Sequence, residues 1–268
     1  EDVQFGGFGE APKFPVSPVL RFLVERDEPL GARTLDAMAA SPLRDPVDGG
    51  FFRYATQRDW SEPHYERMLY DNTQLLAAYA LAGRDDVAEG IASFLVGTLQ
   101  QPSGGFASAQ DSESTVDGRR VEGFYYSLDA ASRTRVEAPP IDGKILTGWN
   151  GLAIEALAIA GSQLGRADWI AAARRAADFV LDQHVLAERL VRASIGGIRS
   201  SAHATLEDFG MLASGLLHLA TASGEVRYAV AARDLIDASL VAGESSGQPC
   251  GVPGGGDPVL VAQGITVA

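Results

Sequence analysis

The chain has 268 residues, and its 35 acidic against 22 basic side chains give a net charge of −13, which disfavours nucleic acid and anionic membrane surfaces as partners. A single cysteine, Cys250, excludes an internal disulfide, CxxC redox chemistry and any zinc site built from several thiolates. With 46% hydrophobic residues but no apolar run near the roughly 18 of a membrane span, and no leader pattern, a globular, cytoplasmic protein is expected.

Ser17-Pro18 opens a first helix over 17–26, and a second spans 32–40. A third, 64–81, sets Met68, Leu75, Leu76 and Tyr79 on one stripe and stops at Gly83, with an antiparallel mate over 86–99. Helical hairpins follow over 150–164 with 167–184 and over 205–221 with 225–240, each joined by a short turn. Ala-rich runs at 171–173 and 229–232 allow close helix approach. Short strands are expected in the loops at 106–108, 123–126, 189–193 and 259–262, and 242–257 reads as a long loop. Paired glycines before a large apolar residue recur at Gly6-Gly7-Phe8, Gly49-Gly50-Phe51, Gly104-Gly105-Phe106 and Gly196-Gly197-Ile198. They mark loops anchored by the residue that follows, and their spacing is not periodic.

Helical hairpins joined by long anchored loops predict an all-α fold, an (α/α)6 toroid with its loops gathered into a funnel, in preference to a four-helix bundle. Four helix pairs are legible where six would close the ring. Residues 1–268 are therefore expected to form a single toroid domain, an incomplete ring lacking its C-terminal hairpins.

Three loop regions carry chemistry. The first holds Arg53, Trp60, His64, Glu66, Tyr70 and Asp71; on a helix, His64 and Asp71 would share a face two turns apart. The competing reading is a structural network of Arg53, Glu66 and Asp71. The second runs from Ser108 to Glu113, with Asp111 nearest the apolar anchor, and on through Glu122-Gly123-Phe124-Tyr125-Tyr126; acidic groups bordered by aromatics suit sugars. In the third, Asp142 to Gly151, Lys144 stands in apolar surroundings and would need Asp142 or Asp111 as a partner, while Asn150 and Trp149 have structural alternatives as helix cap and staple. Glu207-Asp208-Phe209 opens a helix, where acids also favour the dipole. His184, His203 and His218 lack metal-ligand spacing, so no metal or cofactor is expected.

Gly6 to Gly9 with Ala11-Pro12-Lys13-Phe14-Pro15, then 49–72, 105–111 and 142–151, closely resemble the helical region of the thioredoxin-domain-containing YyaL family, which includes the spermatogenesis-associated homologues. The resemblance implies an (α/α)6 toroid similar to six-hairpin glycosidases and N-acylglucosamine 2-epimerases, preceded in the family by a thioredoxin-like domain. This chain departs from the pattern at Phe52, where the family has His, and at Gly143, where it has Asp. Glu207-Asp208-Phe209 stands for Asp-Asp-Tyr, so Asp208 is the acid that carries over.

The reading is a carbohydrate-active protein, a glycosidase or sugar epimerase acting through carboxylates in the funnel. Inverting hydrolysis needs an acid and a base about 6.5–9.5 Å apart. Asp111 is the first carboxylate expected, and Asp71 or Asp208 the second. Epimerisation would use His64 with Glu66 or Asp71. Arg53, Trp60, Tyr70, Lys144, Trp149 and Asn150 would hold the saccharide. The alternative is a non-catalytic toroid that partners a thioredoxin-like domain.

Overall fold

The computed structural model describes residues 1–187 and 189–246, with side chains through 240. The chain divides into two compact units, the first made of Glu1–Leu99 with Ser108–Asp142 and the second of Gln100–Ala107 with the chain from Gly143 onward.

In the first unit, α1 (Ser17–Glu25) and α2 (Pro29–Ala39) each begin with proline in the first turn, where its missing N–H is harmless. They are followed by α3 (Leu69–Leu81) and α4 (Asp85–Phe94), the latter continuing as a π turn over Leu95–Leu99. Leu75, Leu76, Ala77, Ala78 and Tyr79 of α3 are all fully buried, so this helix is covered around its circumference. The helix expected from residue 64 starts only at Leu69. Residues 63–68 are drawn into extended pairing instead: β1 (Tyr54–Ala55) pairs with β2 (Pro63–His64), and β3 (Arg67–Met68) with β4 (Ala109–Gln110), which pairs with β7 (Ile141–Asp142). Backbone bonds from Arg53 N–H to Glu66 O and from Leu69 N–H to Ser108 O complete the ladder up to the first residue of α3.

An arm projects between β4 and β7. Its strands β5 (Glu113–Val116) and β6 (Arg119–Glu122) are joined by Asp117 and Gly118, both at positive φ as a tight hairpin turn requires. The strand expected at 123–126 is a 3₁₀ turn, Tyr125–Ser127, followed by the short helix α5 (Ala130–Arg133). Beneath them Asp45 accepts from both Arg67 (3.1 Å) and Arg133 (2.7 Å), all three nearly sealed from solvent. Such a buried network ties loop to strand and helix, and removing one member strands a charge.

The second unit holds α6 (Thr147–Gln163), α7 (Ala167–Gln183), α8 (Leu206–Ser223) and α9 (Val226–Ser246), with a sheet ordered β10 (Ile198–Arg199), β9 (Ala193–Ile195), β8 (Ile145–Leu146). Helices α6 and α8 touch backbone to backbone: a Cβ on Gly215 would lie 2.3 Å from Gly151 O, so only glycine fits. On α7, Ala172 and Ala173 of the Ala-rich run are fully buried, as are Ala176 and Ala177 beyond it. Helix α6 begins at Thr147, so Asn150 lies inside it and does not cap it. The expected strand over 106–108 reduces to a single bridge between Gln100 and Phe106, and that over 189–193 to bridges at Leu190 and Val191 with Ala193 opening β9. Helix α9 runs through Ser246 into the loop expected from 242; the rest of that loop and the strand expected at 259–262 lie outside the described residues.

Two of the Gly-Gly-Phe marks, at Phe51 and Phe106, prove to be one device built in each unit. Asn72, in the first turns of α3, accepts from Phe51 N–H (2.7 Å) and donates to Phe51 O (3.0 Å) and Met68 O (2.9 Å). Asn150, at the same place in α6, accepts from Phe106 N–H (2.7 Å) and donates to Phe106 O (3.1 Å) and Leu146 O (3.0 Å). Each asparagine thereby straps an incoming loop to a helix start. Strap and helix are 21 residues apart in one case and 44 in the other, which hides the repeat from a periodicity search.

Candidate acid–base site

The polar side chains that gather in the first unit are His64, Glu66, Arg53 and Asp71. Glu66 Oε2 accepts from Arg53 Nη1 at 2.8 Å and lies 3.9 Å from His64 Nε2. The other ring nitrogen of His64, Nδ1, is 2.6 Å from Glu122 Oε1 at the end of β6. The imidazole stacks on Tyr54, centroids 5.1 Å apart and planes 25° from parallel, and Tyr54 rests on Phe14. The ring is therefore held by a face contact and a charge-assisted bond, on an extended strand and not on the expected helix face.

Asp71, in the first turn of α3, is half-buried and lies 3.5 Å from the buried Ser17 hydroxyl. Burial pushes its carboxyl up to about 7; Arg53 and the Ser17 hydroxyl pull it down, and the charge of Glu66 pushes it further up. A carboxyl raised by burial and by the charge of an Arg-paired carboxylate sits in the kind of environment that separates the pKa values of neighbouring acids.

Asp111 lies elsewhere in the unit, at the root of the arm. Burial raises its carboxyl, but the hydrogen bonds from Arg120 and from the Glu113 N–H outweigh that and hold it below the ordinary carboxylate range. Arg120 spans Asp111 and Glu113, each at 2.5 Å. Asp111 is thus a carboxylate tied to its own arm, and Asp71 differs from it in being raised rather than lowered. Trp60 is buried, its Nε1–H donating to Phe5 O at 2.8 Å and its ring lying 4.8 Å from the Lys13 ammonium. It anchors the N-terminal segment and offers no free face. Tyr70 sits in the first turn of α3, partly exposed. Tyr65, between His64 and Glu66 in sequence, lines a separate cavity of about 470 Å³ with Pro42, Arg44, Pro46, Phe52 and Tyr126. Phe52 packs edge-on to both tyrosines there, an apolar role that its phenyl ring fills.

The remaining expected site residues belong to the second unit. Asp208 is in the capping box of α8, accepting from Thr205 N–H at 2.8 Å, and it also accepts from Gly148 N–H at 3.3 Å, so it fastens the start of α8 to that of α6. Asn150 is fully buried with its amide engaged by backbone. Trp149 is partly exposed in the first turn of α6. Lys144 is exposed, against the expected burial, because the chain is extended there: Ile145 of β8 turns inward and Lys144 faces solvent. Sequence reasoning also passed over a buried relay in which Thr147 donates to Val191 O (2.5 Å) and its oxygen lies 2.7 Å from His184 Nδ1, while His184 Nε2 lies 2.8 Å from Ser194 Oγ. Glu122 belongs to the acidic, aromatic-bordered loop expected to carry chemistry, but no sequence pattern announces that it and Tyr54 fix His64. Among the described residues no group of three or more His, Cys, Asp or Glu side chains is placed to hold a metal, and no helix is long and apolar enough to cross a membrane.

Comparison with known proteins fits this architecture. No family model matches the chain. Human spermatogenesis-associated protein 20 is 42% identical over 47% of the chain and 19% of its own length, and the rat protein of that name is 27% identical over 88% of the chain and 45% of its own length. The chain thus spans less than half of these relatives. Among solved structures, D-mannose isomerase superposes with a TM-score of 0.63 (13% identity, 88% of this chain, 65% of that one). Unsaturated glucuronyl hydrolase from Bacillus sp. GL1 gives 0.57 (16% identity, 84% and 60%), and cellobiose 2-epimerase from Spirochaeta thermophila 0.56 (18%, 85% and 55%). The chain is related to the spermatogenesis-associated proteins, and its fold is that of the six-hairpin (α/α)6 toroids, as the resemblance in sequence implies.

Proposed function

We propose that this chain acts on saccharides by general acid–base catalysis, with Asp71 as the proton donor. The observation that carries the reading is the carboxyl of Asp71, raised to about 7 by burial beside the Arg53–Glu66 pair and so protonated in much of the population at neutral pH. Glu66, paired with Arg53, or His64 takes up a proton in the same cluster. Arg53, paired with Glu66, and Tyr70, next to Asp71 in sequence, orient the sugar in this reading. Hydrolases and an epimerase on the same fold act on sugars through reactions that need such proton transfers, which supports the substrate class without fixing the reaction.

The test is incubation of the full chain with a broad saccharide pool in D2O, read by proton NMR. The expected result is conversion by the wild type and a loss of roughly 100-fold or more in Asp71→Asn, the usual contribution of a general acid. Deuterium appearing at a carbon next to a carbonyl marks epimerisation; new reducing ends without such exchange mark hydrolysis. Conversion that survives undiminished in Asp71→Asn overturns the assignment, and a folded chain that converts no saccharide overturns the function.

A further inference from the structure

The bond between His64 and Glu122 gains significance from where it falls in the chain. Glu122 ends the exposed strand β6, 58 residues away from His64, and has no role in pairing the arm beyond its register with Glu113. Its place is nevertheless fixed. Gly123, next in sequence, lies flat on the ring of Tyr65, next to His64: a Cβ there would come within 2.6 Å of Tyr65 Cε2, and its φ of +72° suits glycine. Gly123 N–H also donates to Ser112 O at 3.0 Å. Glu122 and Gly123 are thus docked on His64, which ends β2, and on the adjoining Tyr65, carboxylate to imidazole and glycine to ring.

We propose that Glu122 is the positioning residue for His64 in the acid–base site, setting which ring nitrogen is free to take a proton. A carboxylate has no hydrogen to give, so in the neutral ring the hydrogen lies on Nδ1 and points at Glu122 Oε1, 2.6 Å away. The lone pair is then on Nε2, the nitrogen 3.9 Å from Glu66 Oε2, on the side where Arg53 and Glu66 meet. When Nε2 takes a proton from a substrate carbon or hydroxyl, the ring becomes an imidazolium, and Glu122 stabilises it by a charge-assisted bond without moving. The inference deepens the proposed function and rests on that reading for the purpose of the free nitrogen, but the tautomer itself is measurable without any substrate.

The test is nitrogen-15 NMR of the ring nitrogens in the uniformly labelled full chain at about pH 9, above the ordinary imidazole range, with His64 assigned by its loss in His64→Gln. The expected result is the Nδ1–H tautomer in the wild type. It persists in Glu122→Gln, whose amide oxygen still accepts, and gives way in Glu122→Ala by about tenfold or more in the tautomer ratio. Both variants lie on an exposed strand and leave the core untouched. An Nε2–H tautomer in the wild type, or an unchanged ratio in Glu122→Ala, overturns the proposal. Should the tautomers behave as expected while Asp71→Asn leaves saccharide conversion intact, the positioning stands and the acid–base reading falls, so the two failures are told apart.

Discussion

Replacing Asn150 with alanine removes an amide that holds a loop onto the start of α6, and the size of the loss follows from what the amide leaves behind. It makes three hydrogen bonds, to Phe106 N–H, Phe106 O and Leu146 O. Phe106 is fully buried, so no water replaces the lost partner. A buried donor or acceptor left without a partner costs about 1–3 kcal/mol, and Phe106 presents one of each. The third bond, to a half-exposed carbonyl, adds about 1 kcal/mol at most. Asn150→Ala is therefore expected to destabilise the chain by about 3–5 kcal/mol, a large share of the roughly 5–15 kcal/mol of a typical domain. Urea unfolding followed by circular dichroism reads this as a lowered midpoint at unchanged slope. The same arithmetic applied to Asn72, whose three bonds match, predicts a similar loss. Asn150→Asp tests the donor half separately, since its carboxylate still accepts from Phe106 N–H but cannot donate to either carbonyl. A loss below about 1 kcal/mol in Asn150→Ala would refute the claim that these straps organise the helix starts.

Three further outcomes follow from the structure. Asp71, raised from 3.8 to about 7 on folding, contributes stability that is complete below pH 3.8 and lost as pH rises to about 7. At about 1.4 kcal/mol per unit the loss is roughly 4 kcal/mol, and unfolding curves of Asp71→Asn lack that slope. His184 behaves in the opposite sense. Burial lowers its imidazole from 6.5 to about 4, so its contribution is complete above pH 6.5 and falls by roughly 3 kcal/mol as pH drops to 4, a trend absent in His184→Gln. Gly215→Ala drives a methyl to 2.3 Å from Gly151 O and is expected to destabilise the α6–α8 contact by about 1–3 kcal/mol in thermal unfolding, where a surface alanine substitution changes little.

What the sequence made legible is local. Gly165 and Gly224 adopt positive φ just past α6 and α8, so the hairpin turns could be placed to within a residue or two. The start of α3 could not, because residues 63–68 are held extended by partners at 54–55 and 109–110 that no local pattern announces. The same long-range pairing explains the mixed record at the site. Arg53, Glu66 and Asp71 were singled out by residue type near a helix start, and they do sit together. The raised carboxyl of Asp71 comes from burial, which the sequence does not display. Asp111 is the first carboxylate expected, but Arg120, nine residues on across a tight hairpin, pairs with it and holds its carboxyl low. Trp60 and Lys144 differ from expectation in exposure: the tryptophan lies under the N-terminal segment, and the lysine falls on the outward phase of an extended run.

The central claim is that Asp71 holds its proton near neutrality. Carbon-13 NMR of the side-chain carboxyls across a pH titration, with the Asp71 signal identified by its absence in Asp71→Asn, measures this without a substrate. The account predicts a midpoint near 7 for Asp71; a midpoint near 4, the ordinary value of an exposed aspartate, would contradict it.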